Sequence, residues 1–327
     1  MKILITGCYG FIGFNFLHNI QKNYPNQFEV VGLDKLTNQF SKNNYEILPL
    51  KNFYKVDLQE INNIDLPKVD MILNFAAESH VDNSISNPNL FVNSNITGTI
   101  NLMKFGIKNN IENFVHISTD EVYGSLLDGF ADENFNFNPS SPYSGSKASA
   151  EIMAKTFSKT YDYPIKIIRP ANNYGIYQQP EKLIPFSIIN LLRGGNIELY
   201  GDGKNIRHWL HVDDTCSAIF TIIEKGLSGE AYNIGSNYYM NNLELSYKLV
   251  KYMNLNEDRI KFVSERPGHD FRYAVNISKL ENLGWKSSMN FDIEIEKIIN
   301  WYKLNTSWWE DGLSSIYEKR NLRLSLE

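Results

Sequence analysis

The chain has 327 residues, 43% of them hydrophobic and 21% charged, with a formal net charge of −5. That length allows roughly 75% of the unfolded surface to be buried, and the composition is that of an ordinary globular protein. The acidic balance argues against a general binder of nucleic acid or of membrane surfaces. No apolar run is long enough to span a bilayer, and only four residues separate Lys2 from Gly7, too few for the core of a signal peptide. Cys8 and Cys216 make neither a disulfide framework nor a metal-ligand spacing, so a reducing, cytoplasmic setting is expected.

Residues 2–6 read as a first strand, followed at once by Gly7-Cys8-Tyr9-Gly10-Phe11-Ile12-Gly13. A helix to about Lys22 then carries Phe11, Phe14, Leu17 and Ile20 at helical spacing. A second strand over 28–33 ends on Asp34. This order of strand, glycine-rich turn, helix, strand and acid is the context in which a dinucleotide fingerprint is credible. The glycines let the backbone approach a pyrophosphate, and the helix amino terminus stabilises its charge. Asp34, about 20 residues past the last glycine, accepts hydrogen bonds from an adenosine ribose and repels a 2′-phosphate, which favours NAD over NADP. Lys35 follows it at the same edge. Cys8, small, is expected to fit beside the cofactor.

The next two strands, over 53–56 and 70–75, end on Asp57-Leu58, at the adenine edge, and on Ala76-Ala77, small enough for close ligand approach. Ser79 and Asn95 either line the cofactor or serve packing and capping. Pro88 opens a helix expected to run to about Lys108. The strand over 114–117 then stops on Ser118-Thr119-Asp120-Glu121. Ligands of open parallel sheets sit outside the carboxyl ends of the strands, so a hydroxyl and two carboxyls there are well placed for chemistry; capping a turn is the plainer reading. Tyr143 and Lys147 lie i, i+4 on one face of a helix beginning near Pro142, and residues 165–168 form the sixth strand. Strands alternating with helices specify a doubly wound parallel α/β sheet.

Past Pro170 the alternation breaks. Residues 174–182, rich in Tyr, Gln, Pro and Gly, read as a binding loop. Helices are expected near 183–193, 214–225, 242–253 and 291–303, and strands near 197–200, 208–212 and 231–235. The division predicted is a cofactor domain over 1–174 and a mainly substrate-binding lobe over 175–327, with parts of 209–236 returning to the large sheet. His208 and His211, three apart on a strand, face opposite sides, so no metal site is expected.

Several motifs resemble those of the extended short-chain dehydrogenase/reductases, and among them the nucleotide-diphosphate-glucose 4,6-dehydratases. They are Thr6-Gly7 through Gly13, Ala76-Ala77-Glu78-Ser79-His80-Val81-Asp82, Ser118 through Gly124, Ser141-Pro142-Tyr143-Ser144-Gly145-Ser146-Lys147, Asn172-Asn173-Tyr174-Gly175, Pro180 through Pro185, Gly201-Asp202-Gly203, Arg207 through Asp214 and Arg266-Pro267-Gly268-His269-Asp270. Trp301-Tyr302 and Trp308-Trp309 resemble the family's carboxyl-terminal region. The resemblance covers almost the whole chain, and the Thr119-Asp120-Glu121 triplet discriminates most: epimerases of this fold lack the Asp-Glu pair, and the decarboxylases have only the Glu. It implies a Rossmann-type domain holding NAD, a smaller lobe for a nucleotide-diphosphate sugar, a role in deoxysugar formation, and a homodimer built on helices near 88–108 and 142–161.

Oxidising a sugar hydroxyl asks for a base. A free phenol has a pKa near 10, so working near pH 7 requires a shift of about 3 units, roughly 4 kcal/mol. Lys147 and a nicotinamide's positive charge both favour the phenolate, which makes Tyr143 the base for the 4-hydroxyl, with Thr119 its hydrogen-bond partner. Elimination across C5 and C6 then needs one carboxylate and one carboxylic acid; the resemblance implies Glu121 as the base at C5 and Asp120 as the acid at the C6 oxygen. The diphosphate needs local cations, for which Arg207 and Arg266 are the candidates. The resemblance further places Asn172, Lys182, Leu183, Tyr200, Asn242 and His269 around the sugar nucleotide. Gly145 departs from the expected alanine and costs the helix about 1 kcal/mol. An epimerase or decarboxylase of the same scaffold would leave Asp120 without a purpose, and a non-catalytic NAD-binding protein would be expected to lack Thr119, Tyr143 or Lys147. Thymine and uracil differ by one methyl, about 1 kcal/mol of burial, and both remain open.

Overall fold

The computed structural model describes residues 1–265 and 267–324, without the side chains of 319–324. Its strands are β1 (Lys2–Thr6), β2 (Glu29–Asp34), β3 (Asn52–Lys55), β4 (Met71–Asn74), β5 (Phe114–Ile117), β6 (Ile165–Pro170), β7 (Asn172–Tyr174), β8 (Ile197–Tyr200), β9 (Ile206–His211), β10 (Ala231–Ile234), β11 (Tyr239–Asn241) and β12 (Ile260–Val263). Seven of them pair in the order β10-β6-β5-β4-β1-β2-β3, every pair parallel. Strands in such a sheet are covered on both faces and read as unbroken apolar runs; β4, β5 and β6 are buried at every residue. The order turns back between β1 and β4, and the cleft opens beyond the carboxyl ends of the strands at that switch.

Two apolar clusters sandwich this sheet. One holds Ile3, Ile5, Leu73 and Val115 with the first helix, Phe11–Asn23, and the helix Val212–Lys225. The other holds Leu4, Ile72, Phe114 and Ile165 with the helix Gly98–Lys108. A third cluster, built on Ile188, Leu199, Leu245, Tyr302 and Trp309, supports the sheets β11-β9-β7 and β12-β8. The chain thus crosses between regions: β9 lies in a small sheet, while β10 pairs with β6 at one edge of the large one.

Cys8 departs from expectation. It is fully buried, and its sulfur packs toward Gly32 rather than toward the cleft. The helix expected from Pro88 to Lys108 runs without a gap, but between its α-helical parts, Pro88–Phe91 and Gly98–Lys108, the stretch Val92–Thr97 is π-helical. Such a π-turn re-aims side chains. Here it carries Asn95, whose amide accepts from the Glu78 N–H at 2.8 Å and donates to the Glu78 carbonyl at 3.0 Å and to Ser146 Oγ at 2.9 Å. Asn95 is therefore a tie between the loop after β4 and the helix Pro142–Tyr161. That helix opens on a capping box of Ser141 and Ser144 with Pro142 in the first turn, an arrangement that satisfies otherwise orphaned amides.

Candidate active site

One cleft runs across the carboxyl edge of the large sheet in three connected sections. The first is lined by Asp34, Lys35, Asp57, Leu58 and Ala76. It shares Gly7, Gly10, Ala77 and Ser79 with the second, which adds Phe11, Ile12, Gly13, Thr119, Asp120, Tyr143 and Lys147. The third shares Glu121, Asn172 and Lys182 with the second and adds Leu183, Tyr200, Arg207, Asn242 and His269. The site residues expected from the sequence thus line one cleft, apart from Cys8, Asn95 and Arg266, the last of which lies outside the described residues.

The glycine turn has the shape a dinucleotide requires. Gly7 sits at φ +65°, and a Cβ on it would come within 2.6 Å of the Ala76 nitrogen, so a side chain there would close the cradle. Among the described residues no side chain caps the amino terminus of the helix Phe11–Asn23, which leaves its first N–H groups to an anion. Asp34 is buried and accepts from the amides of Tyr9 at 2.9 Å and Leu36 at 2.8 Å. Those bonds hold its carboxyl facing the cleft, and burial raises its pKa. Lys35 pairs with Glu78 at 2.9 Å.

At the end of β5, Thr119 both caps a turn and joins the site. Its hydroxyl accepts from the Glu121 amide at 3.3 Å, opening the short 3-10 helix Asp120–Tyr123. It also lies 3.4 Å from Asp120 Oδ1 and lines the same section of the cleft as Tyr143. Burial pushes Tyr143 above its ordinary value and the Glu121 charge pushes it further, while the neighbouring Thr119 hydroxyl opposes them. Lys147 donates to the Ile117 carbonyl at 2.5 Å, and burial lowers it to about 8. The protein's own groups thus favour a neutral phenol, and a further positive charge beside the ring is what would bring it down.

Asp120 is almost wholly buried. Burial first, then the Glu121 charge, raise its carboxyl well above the usual range, against the pull of Arg207. Glu121 is half-buried, with the Tyr273 hydroxyl 3.5 Å from its Oε2. Tyr273 donates to Asp270 at 2.7 Å, and the Arg207 guanidinium stacks 4.6 Å over its ring. Arg207 also donates to the main-chain carbonyls of Ile206 at 2.9 Å and Asp270 at 3.0 Å, so it supports this wall as well as facing the cleft.

Lys182 lines the cleft while donating to the Ser79 carbonyl at 2.6 Å. The two histidines of β9 have structural partners: His208 meets the Ser236 backbone, and His211 accepts from the Asp213 amide at 3.2 Å. Among the described residues, six buried side-chain polar atoms without a hydrogen-bond partner line the cleft: Ser118 Oγ, Asp120 Oδ2, Asn172 Oδ1, Gln178 Oε1, Trp209 Nε1 and Asn242 Oδ1. Unsatisfied buried groups are rare and call for an explanation; grouped here, they point to a polar ligand. Sequence reasoning passed over Tyr273, Trp209 and Gln178. Tyr273 stands three residues beyond Asp270, and Gln178 lies within the loop already read as binding.

Residues 4–298 match the family described as GDP-mannose 4,6 dehydratase. The chain is 40% identical to the low-salt glycan biosynthesis protein Agl12 of Haloferax volcanii, over 92% of this chain and 98% of that one. It is 38% identical to the dTDP-glucose 4,6-dehydratase of Streptomyces antibioticus over 95% of each. Its fold superposes with a TM-score of 0.91 on DesIV, a dTDP-glucose 4,6-dehydratase from Streptomyces venezuelae solved with NAD bound, at 38% identity and covering 95% of this chain and 99% of that one.

Proposed function

This chain belongs to the nucleotide-sugar 4,6-dehydratase family, and on that premise we propose that its cleft turns a nucleoside-diphosphate glucose into the 4-keto-6-deoxy sugar nucleotide and water. It is an NAD-dependent hydro-lyase. The observation that carries the assignment of roles is the contrast between Asp120, buried and raised, and its half-buried neighbour Glu121 where two sections of the cleft meet. An epimerase has no use for such a pair.

Gly7, Gly10, Gly13 and Asp34 hold the dinucleotide, and Asp57, Leu58 and Ala76 form the adenine edge. When bound, NAD supplies a two-electron acceptor and donor that serves C4 and then C6. Tyr143, as phenolate, takes the proton of the C4 hydroxyl. Glu121 removes the C5 proton, made acidic by the ketone. Asp120 protonates the C6 oxygen, which leaves as water, and Glu121 returns its proton to C5. Tyr143 then holds one proton more and Asp120 one fewer than at the start. Thr119, hydrogen-bonded to Asp120 and lining the same section of the cleft as Tyr143, lies on the short route that resets them.

Arg207 binds the diphosphate, together with Arg266; Asn172, Lys182, Leu183, Tyr200, Asn242 and His269 surround the sugar nucleotide. Residues 1–174 with β10 act as the cofactor domain and most of 175–327 as the sugar-nucleotide lobe. The protein works as a homodimer, its face formed by the helical segments near 88–108 and 142–161, where Leu90, Val92 and Ile152 are 38%, 45% and 52% exposed. Two buried free cysteines suit the reducing cytoplasm; among the described residues no helix is long and apolar enough to cross a membrane.

The test is incubation with dTDP-glucose and UDP-glucose, followed by assay for a 4-keto product. With deuterium at C4, the label should reach C6 of the same molecule without net consumption of NAD. Crossover of label between molecules, or stoichiometric release of reduced cofactor, overturns the reading.

A further inference from the structure

The loop after β7 holds its backbone in a costly shape and presents an acceptor that finds no donor among the described residues. Tyr177 is a non-glycine residue at φ +63°, a left-handed conformation that costs about 1–2 kcal/mol. Its ring is caged by His18, stacked at 5.5 Å, Phe14 at 4.9 Å and Trp301 at 4.7 Å. Aromatic pairs contribute about 0.5–1.5 kcal/mol each, enough together to offset that cost. On either side the main chain is clamped: Asn15 donates to the Ile176 carbonyl at 3.1 Å, and the Tyr302 hydroxyl donates to the Gln178 carbonyl at 2.5 Å.

What this clamping fixes is Gln178. The side chain is 7% exposed, and its Nε2 donates to the Asn173 carbonyl at 2.8 Å. That bond orients the amide and leaves Oε1 buried, with no partner among the described residues. Gln178 lines both the section holding Tyr143 and Lys147 and the section holding Arg207 and Asn242, so it stands at the junction where a reacting sugar ring must lie. An unsatisfied buried acceptor costs about 1–3 kcal/mol. A leucine or methionine would fill the same space without that cost.

We propose that Gln178 Oε1 accepts a hydrogen bond from a ring hydroxyl, at C2 or C3, of the glucosyl unit, making Gln178 a residue that reads the sugar. The inference rests on the dehydratase reading and deepens it. An acceptor fixed at its side-chain amide, at its own carbonyl and at that of Ile176 discriminates against a sugar lacking the matching hydroxyl, because the analogue leaves it unpaired.

The experiment compares wild type, Gln178→Met, which lacks the acceptor, and Gln178→Glu, which keeps one, on the parent nucleotide glucose and its 2-deoxy and 3-deoxy analogues. NAD titration and thermal unfolding of each enzyme accompany the kinetics. In wild type one analogue should lose about tenfold or more in kcat/KM relative to the parent sugar, and Gln178→Glu, slower overall because it loses the donor to the Asn173 carbonyl, should keep that ratio. In Gln178→Met the parent sugar should lose that factor and the same analogue should lose nothing further, with NAD affinity unchanged. Losses that simply multiply, for both analogues, overturn the proposal, as does a folded Gln178→Met with wild-type kinetics. Weakened NAD binding with sugar discrimination intact also overturns it, since the donor would then be the nicotinamide amide. Absence of turnover by wild type overturns the dehydratase reading itself; turnover with independent losses overturns this proposal alone.

Discussion

Asp120 and Glu121 are neighbours in the chain and opposites in surroundings. The first is 2% exposed with its carboxyl raised by burial and by the second's charge; the second faces the Tyr273 hydroxyl where two sections of the cleft meet. Two carboxyls in such different surroundings can divide an elimination, one giving a proton and the other taking it.

The oxidation and the elimination should therefore separate by mutation. Glu121→Gln keeps the shape but removes the base, so it should oxidise C4 and stall, with reduced cofactor and a 4-keto sugar accumulating and turnover falling by about 100-fold or more. Tyr143→Phe should block the oxidation and show little reduced cofactor. Rapid absorbance measurement after mixing with substrate checks both; equal build-up of reduced cofactor in the two variants would contradict the division of roles.

Asp120 should cost the protein stability at neutral pH. Its folded pKa is raised, so the folded form keeps a proton that the unfolded form loses above about pH 3.9. The stability linked to this group is full below that pH and declines as pH rises through the folded value. Asp120→Asn cannot ionise and should exceed wild type by about 1–2 kcal/mol near pH 8, the gap closing toward pH 4. Thermal unfolding across that range decides it, and a gap that widens on acidification would count against the assignment.

Cofactor choice should depend on Asp34. Asp34→Ala removes the carboxylate proposed to accept from the ribose and frees the amides of Tyr9 and Leu36, two donors that suit a 2′-phosphate. NAD affinity should fall about tenfold, roughly 1.4 kcal/mol, with NADP affected less. Parallel titrations of both dinucleotides test this; tighter NADP than NAD binding by wild type would remove the premise.

Gly145 offers a stabilising substitution within the helix that carries Tyr143. Among the described residues nothing lies within 4 Å of where its Cβ would sit, so Gly145→Ala should raise stability by about 1 kcal/mol and leave the chemistry intact. Denaturant unfolding reads this directly, and destabilisation would mean that the site needs the freedom glycine provides.

The sequence by itself determined the parts of this protein that depend on short-range physics. Apolar runs marked the strands, the glycine turn followed by helix, strand and Asp34 marked the cofactor edge, and the i, i+4 spacing put Tyr143 and Lys147 on one face, because sterics and periodicity act over a few residues. Strand boundaries shifted by a residue or two, and three-residue strands such as β7 and β11 escaped notice, since their pairing comes from distant chain. Only the tertiary structure decided which carboxyl is buried and which faces Tyr273, that Cys8 turns into the core, that Arg207 braces the wall containing Tyr273 and Asp270, and that Tyr302 and Asn15 fix the loop presenting Gln178. Ionisation and orientation depend on what packs against a group, and in this fold several of those neighbours come from distant chain: Tyr273 lies 152 residues from Glu121, and Tyr302 lies 124 from Gln178.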